Sequence, residues 1–221
     1  MAKGDDIGMH DYGTDIFTEA DGSDETLAHL GPLAPMAGTW EGHKGVDEHP
    51  VREGTETDAF VEHYELVPID RQTNGPQLYY GLRYHTHITK PGEVETFHDQ
   101  VGYWLWEPAT GMVIQTIAIP RAQVAMACGR TTADATEFEL DATLGSEEFG
   151  ILSNPFLTRA FTTLNFHLRV TINPDGTWSY EEVTLLQLPD RTEPFRHVDH
   201  NTLRRVLAPP PNPLAAPGAT P

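Results

Sequence analysis

Apolar and polar side chains alternate along this chain in run after run, and that period of two is what most limits the fold it can adopt. In LYYGLRYHTHI, Leu78, Tyr80, Leu82, Tyr84 and Ile88 share one face, while Gly81, Arg83, His85 and His87 share the other. TEFELDATL sets Phe138, Leu140, Ala142 and Leu144 against Glu137, Glu139, Asp141 and Thr143. LNFHLRVTI sets Leu164, Phe166, Leu168, Val170 and Ile172 against Asn165, His167, Arg169 and Thr171. Runs of this kind form half-buried antiparallel strands. Pro91-Gly92, Ala109-Thr110-Gly111 and Pro174-Asp175-Gly176 each lie between two runs, where hairpin turns belong. Helical spacing occurs only around residues 156–161. The repetition predicts an all-β protein, an up-and-down antiparallel barrel of about ten strands, because closure removes the edges a long sheet exposes. Such a barrel is wide enough to enclose a ligand.

The barrel pattern occupies residues 29–207. Residues 1–28 are rich in Asp, Glu and Gly and predict a flexible acidic arm, in which Met9, Tyr12, Ile16 and Phe17 are the side chains able to dock. Residues 208–221 hold too many prolines for helix or central strand and predict an extended tail.

Charge narrows the partners. Lys and Arg total 14 against 33 Asp and Glu, a formal charge of -19, so the chain's field repels phosphate backbones and anionic lipid. Neither nucleic acid nor a membrane surface is expected as partner, and a small molecule in the barrel is. Cys128 is the single cysteine, which rules out an internal disulfide and a multi-cysteine zinc site. Its Ala, Met and Gly neighbours predict an inert buried thiol. With no basic leader ahead of an apolar run, and no apolar run near the roughly 20 residues of a membrane span, a cytoplasmic protein is expected.

Four motifs carry candidate chemistry. In GTWEGHKG, glycines flank Trp40 and allow the strand to bend while the indole plugs one end of the barrel. His85 and His87, with Glu93 and His98, have the residue types of a cupin-like metal site, but parity turns His85 and His87 away from the apolar face. In FHDQVGYWLW, His98 shares a face with Gln100, Gly102, Trp104 and Trp106, so it is either hydrogen-bonded or in contact with a ligand, and Gly102 permits close approach of another group. In EPFRHVDHNTLRRV, alternation turns Phe195, His197, Asp199, Asn201 and Leu203 inward and Arg196, Val198, His200, Thr202 and Arg204 outward. His197 is a satisfied core histidine or an iron ligand, the latter with Asp199 holding Nδ1–H and leaving Nε2 free. No Ser-His-Asp order, phosphate loop or paired-carboxylate site stands out.

Together these motifs resemble the nitrobindin family, fatty-acid-binding-protein-like barrels that bind heme b. The resemblance spans residues 30–206 and rests on Gly38-x-Trp40-x-Gly42, on His98 to Tyr103, and on a last-strand histidine ahead of Leu203, Arg204 and Arg205. It implies heme iron on His197, with Trp40, His98 and Leu203 around the cofactor, reversible nitric oxide binding, and isomerisation of peroxynitrite to nitrate. The sequence departs from the family after Gly42, where His43-Lys44-Gly45 is one residue longer, and at Pro50-Val51, where the family has Pro-Thr-Ile. One extra residue between His197 and Leu203 predicts a bulge or shifted register there. The alternative occupant is a small apolar or fatty ligand without metal.

Overall fold

The computed structural model describes residues 10–212. A short helix α1 (Thr26–His29) and a 3-10 turn (Gly31–Met36) lead into β1 (Gly38–Val51), β2 (Gly54–Pro68), β3 (Gln72–Asn74), β4 (Gln77–Thr89), β5 (Thr96–Glu107), β6 (Met112–Ile119), β7 (Gln123–Arg130), β8 (Glu137–Leu144) and β9 (Gly150–Ser153). A second short helix, α2 (Leu157–Ala160), precedes β10 (Thr162–Ile172), β11 (Trp178–Gln187) and β12 (Phe195–Leu207). Strands follow the order β2-β1-β12-β11-β10-β8-β9-β7-β6-β5-β4, and β4 pairs back onto β2, so eleven of the twelve strands close a ring. β3 lies outside it, paired with β4. No helix among the described residues is long and apolar enough to cross a membrane.

The all-β barrel matches the periodicity, with one strand more than the rough count. It is not purely up-and-down: β9 runs parallel to β8 and antiparallel to β7. The reason is local, because β7 and β8 meet directly at Cys128↔Asp141 and then diverge. β9 fills the gap and pairs with both strands, meeting the demand of buried backbone groups for partners.

The closed end of the barrel is aromatic. Trp40 is 1% exposed, donates Nε1–H to the Met36 carbonyl at 2.7 Å, meets the edge of Trp178 at 6.2 Å between ring centroids, and carries the Arg205 guanidinium 4.6 Å above its ring. The plug expected of GTWEGHKG is thus built from β1, β11, β12 and the 3-10 turn. Gly102 answers to backbone: a Cβ there would sit 1.8 Å from the Thr116 carbonyl oxygen.

β1 contains a bulge. Against β2, Gly42 faces Glu62 and Gly45 faces Phe60; against β12, Glu41 faces Arg204 and Val46 faces His200. Both ladders therefore hold one extra residue within His43-Lys44-Gly45, which is where the sequence runs long. A Cβ on Gly45 would lie 2.1 Å from the Phe60 ring, so the bulge needs glycine at that place. β12 pairs with β11 without interruption from Trp178↔Leu203 to Leu186↔Phe195, so the bulge expected in the last strand lies in its neighbour instead. The bulge reverses inside and outside along β1: Trp40 and Gly42 face in before it, Gly45 and Asp47 after it.

Residues 10–28 include several contacts with the barrel base. Tyr12 donates to Glu107, Ser23 N–H to Tyr80 Oη at 3.0 Å, and the buried Thr26 to the Ile69 carbonyl at 2.7 Å. Of the docking residues expected there, Tyr12 docks, the Ile16 and Phe17 side chains are exposed, and Met9 lies outside the described residues. Asn212, the last described residue, is buried and reaches the Asp24 carbonyl at 3.0 Å. The rest of the expected proline-rich tail lies outside the described residues.

Val198, assigned to the outer face, is buried because it pairs directly with Val183 of β11, and the two cover one another. Cys128 is 7% exposed and burial pushes its thiol up to about 11. Less than one equivalent of iodoacetamide is expected to label the native protein at pH 7.5, with full labelling in guanidinium; mass spectrometry of the intact chain reads the difference.

Candidate functional site

Inward-facing positions of the strands surround a cavity of about 620 Å³. Its walls combine Ile88, Phe97, Phe156, Leu157 and Phe161 with a polar group from β1, β2, β11 and β12. His98 and His197 both line it, as parity requires; Trp40 and Leu203 pack beneath its floor and do not. His85 and His87 stand on the opposite face of the sheet, bonded to Asp99 and Thr96, each at 2.9 Å. The cupin-like set is therefore not assembled.

His197 does not stand alone. Its Nε2 donates to Asp47 Oδ1 at 2.7 Å and lies 3.4 Å from Asp199 Oδ2. Both carboxylates thus sit on Nε2, and the expected arrangement, Asp199 on Nδ1 with Nε2 open, is corrected. The cause is the β1 bulge, which turns Asp47 inward directly opposite Asp199. His49 Nδ1 holds the other Asp47 oxygen at 3.1 Å. Register extends the row: Asp58 faces Asp47, Asp47 faces Asp199, and Asp199 faces Glu182. Four carboxylates on four adjacent strands stand abreast, and like charges directly opposite one another are destabilising. Lys90 Nζ, 2.6 Å from Asp58, offsets one end.

Protonation adjusts to this crowding. Burial favours neutral His197, but the Asp47 hydrogen bond and the Asp199 and Asp47 charges outweigh it and raise the imidazole's pKa. Burial likewise raises Asp47, yet the His197 hydrogen bond and the His197 and His49 charges bring it below the usual value. Burial holds Asp199 well above the carboxylate range against the His197 charge, with Glu182 and Asp47 adding to the rise. Glu182 is pushed up to about 8 by burial and by the charges of Glu62 and Asp47. It has no hydrogen bond or salt bridge among the described residues, and its residual surface opens onto the cavity.

Deeper in the barrel, Glu62 is 2% exposed and accepts from Thr86, Tyr180 and Asn201, each at 2.9 Å. Burial still raises its pKa over the lowering effect of those bonds. On the far wall, His98 donates to Gln100 at 3.3 Å, Gln100 to Tyr84 at 2.8 Å, and Tyr84 to the Thr116 carbonyl at 3.0 Å. Burial lowers the His98 pKa, so this is a neutral, hydrogen-bonded imidazole at the cavity surface. Trp178 Nε1 and Gln115 Oε1 are buried on the cavity wall without a partner among the described residues, a donor and an acceptor left to a ligand.

Asp47, Glu62 and Glu182 escaped the motif reading. Glu62 and Glu182 were within its reach, since each interrupts an apolar parity, Phe60-x-Glu62-x-Tyr64 and Trp178-x-Tyr180-x-Glu182. The sign for Asp47 was the polar pair His43-Lys44 ahead of Gly45, which breaks the alternation.

The family description "THAP4-like, heme-binding beta-barrel domain" matches residues 29–205. The chain belongs to this heme-binding family. Among solved structures, the crystal structure of Rv2717c from M. tuberculosis shares the fold, with a TM-score of 0.53 and 20% sequence identity over 81% of this chain and 96% of that one. No curated protein matches the sequence. The residues here fit a heme: an apolar-walled cavity, an imidazole on its wall, and buried polar atoms beside it that have no partner among the described residues. Use of His197 Nε2 as a ligand exchanges its bond to Asp47.

Proposed function

We propose that the barrel binds heme b through Nε2 of His197. The observation that carries this reading is the placement of that imidazole on the wall of the 620 Å³ cavity, whose size suits a cofactor-scale ligand. His98 would face the cofactor from another wall, while Trp40 and Leu203 would support the floor. Heme, when bound, supplies an iron for reversible nitric oxide binding and for isomerisation of peroxynitrite to nitrate. The chain's own contribution is to hold the ring, keep water from the apolar side, and present the His197 imidazole, which its aspartate neighbours favour in the protonated form and which must give up its Nε2 proton to ligate. Asp47 and His49 orient that imidazole until ligation.

Titration of the purified protein with hemin tests this. A saturable one-to-one Soret shift that responds to nitric oxide is expected, and loss of at least 100-fold in hemin affinity in His197→Ala; a peroxynitrite decay assay then follows. An unchanged Soret band in His197→Ala sinks the assignment of His197 as the residue that holds the heme. A second reading, an apolar-ligand carrier, draws on Phe156 and Phe161, 62% and 39% exposed at the cavity rim. Lipid without porphyrin in the extracted native protein supports it, although the interior carboxylates repel an anionic head at depth.

A further inference from the structure

We propose that Asp47, His197 and Asp199 form a site for a bare divalent transition-metal ion inside the barrel, with Glu182 beside it as a further carboxylate donor. Nε2 of His197 and one oxygen from each aspartate all lie within 4.8 Å of one another. Tetrahedral ligands with bonds near 2.0–2.1 Å stand about 3.3 Å apart. The His197–Asp199 separation of 3.4 Å already meets that, and the His197–Asp47 contact of 2.7 Å opens by about 0.6 Å to admit an ion. One imidazole with carboxylates suits zinc, iron(II), manganese or cobalt rather than a soft thiophilic ion.

Two further observations point to a cation. Asp47, Asp199 and Glu182 are directly opposed across three strands inside a barrel, so their carboxyl groups can ionise together only beside a compensating cation. Glu182 faces the same cavity without a hydrogen bond or salt bridge among the described residues. An outer layer is also in place: His49 holds the free oxygen of Asp47 at 3.1 Å, and Lys90 neutralises Asp58 behind it. The inference does not rest on heme. Both occupants use Nε2 of His197, so each excludes the other.

The test is titration of heme-free full-length protein with Co²⁺, followed by visible spectroscopy and displacement with Zn²⁺. One saturable Co²⁺ per chain with ligand-field bands is expected, released by Zn²⁺. Asp47→Asn and Asp199→Asn should each weaken binding at least tenfold, and the double variant should abolish the bands while keeping a native far-UV spectrum. Absence of a stoichiometric Co²⁺ site overturns the proposal, as does wild-type affinity in a folded double variant, which would place the metal on the acidic surface. Hemin binding is read separately from the Soret band. A Co²⁺ site without hemin binding refutes only the heme reading, and hemin binding without a Co²⁺ site refutes only the ion site. Preloading with Zn²⁺ should lower hemin affinity at least tenfold.

Discussion

Replacing Trp40 by Ala is expected to lower the melting temperature by about 6–20 °C, from a loss of roughly 3–5 kcal/mol at about 2–4 °C per kcal/mol for a domain of this size. The indole is 1% exposed and sits where β1, β11, β12 and the 3-10 turn converge. Truncation leaves a large void between Trp178 and Arg205, and leaves the Met36 carbonyl without its 2.7 Å donor. Trp40→Phe separates these losses: it keeps most of the packing and forfeits the N–H donor, and about 1–3 kcal/mol is expected. Thermal unfolding followed by circular dichroism measures both. A drop under 5 °C for Trp40→Ala would mean that the aromatic base does not hold the barrel together.

The second large effect has the opposite sign. Glu182 is pushed up to about 8 in the folded barrel from an ordinary 4.5, because burial comes first and the Glu62 and Asp47 charges add to it. A carboxyl raised in this way keeps its proton in the folded state while the unfolded chain releases it. Its contribution to stability is therefore full below pH 4.5 and is lost as pH rises through 8. Over that window the loss amounts to about 3–5 kcal/mol. Asp199 and Glu62, also raised, act in the same direction. His197, raised as well, loses its contribution as pH climbs from 6.5 through its folded value. Asp47, lowered, acts oppositely and only as pH falls below 3.8. Glu182→Gln removes the titration but keeps the shape. A gain of about 6–20 °C at pH 9 is expected, with little change at pH 5. Equal shifts at both pH values would show that Glu182 is not held neutral by its surroundings.

Much of this barrel was legible in one dimension. A period of two sorts residues to faces whatever the partners of a strand are, so the inward turn of His98 and His197 and the outward turn of His85 and His87 follow from counting alone. The plug role of Trp40 was legible too, since glycine on either side of a large aromatic leaves few other uses for it. Closure could be argued from strand number. The exact number and the parallel β9 could not, because they arise where β7 and β8 diverge, and divergence is a property of pairs.

The row of carboxylates shows the limit most clearly. Asp47, Asp199 and Glu182 lie far apart in sequence, and each alone reads as an ordinary strand residue. Alternation determined that Asp199 and Glu182 face inward. Only the register of β11 on β12 and of β12 on β1 decided that they stand opposite one another, and only the bulge at His43-Lys44-Gly45 decided that Asp47 joins them. Side-chain parity is a local property of the backbone, whereas register and bulges are settled by hydrogen bonding and packing between strands brought together when the barrel closes.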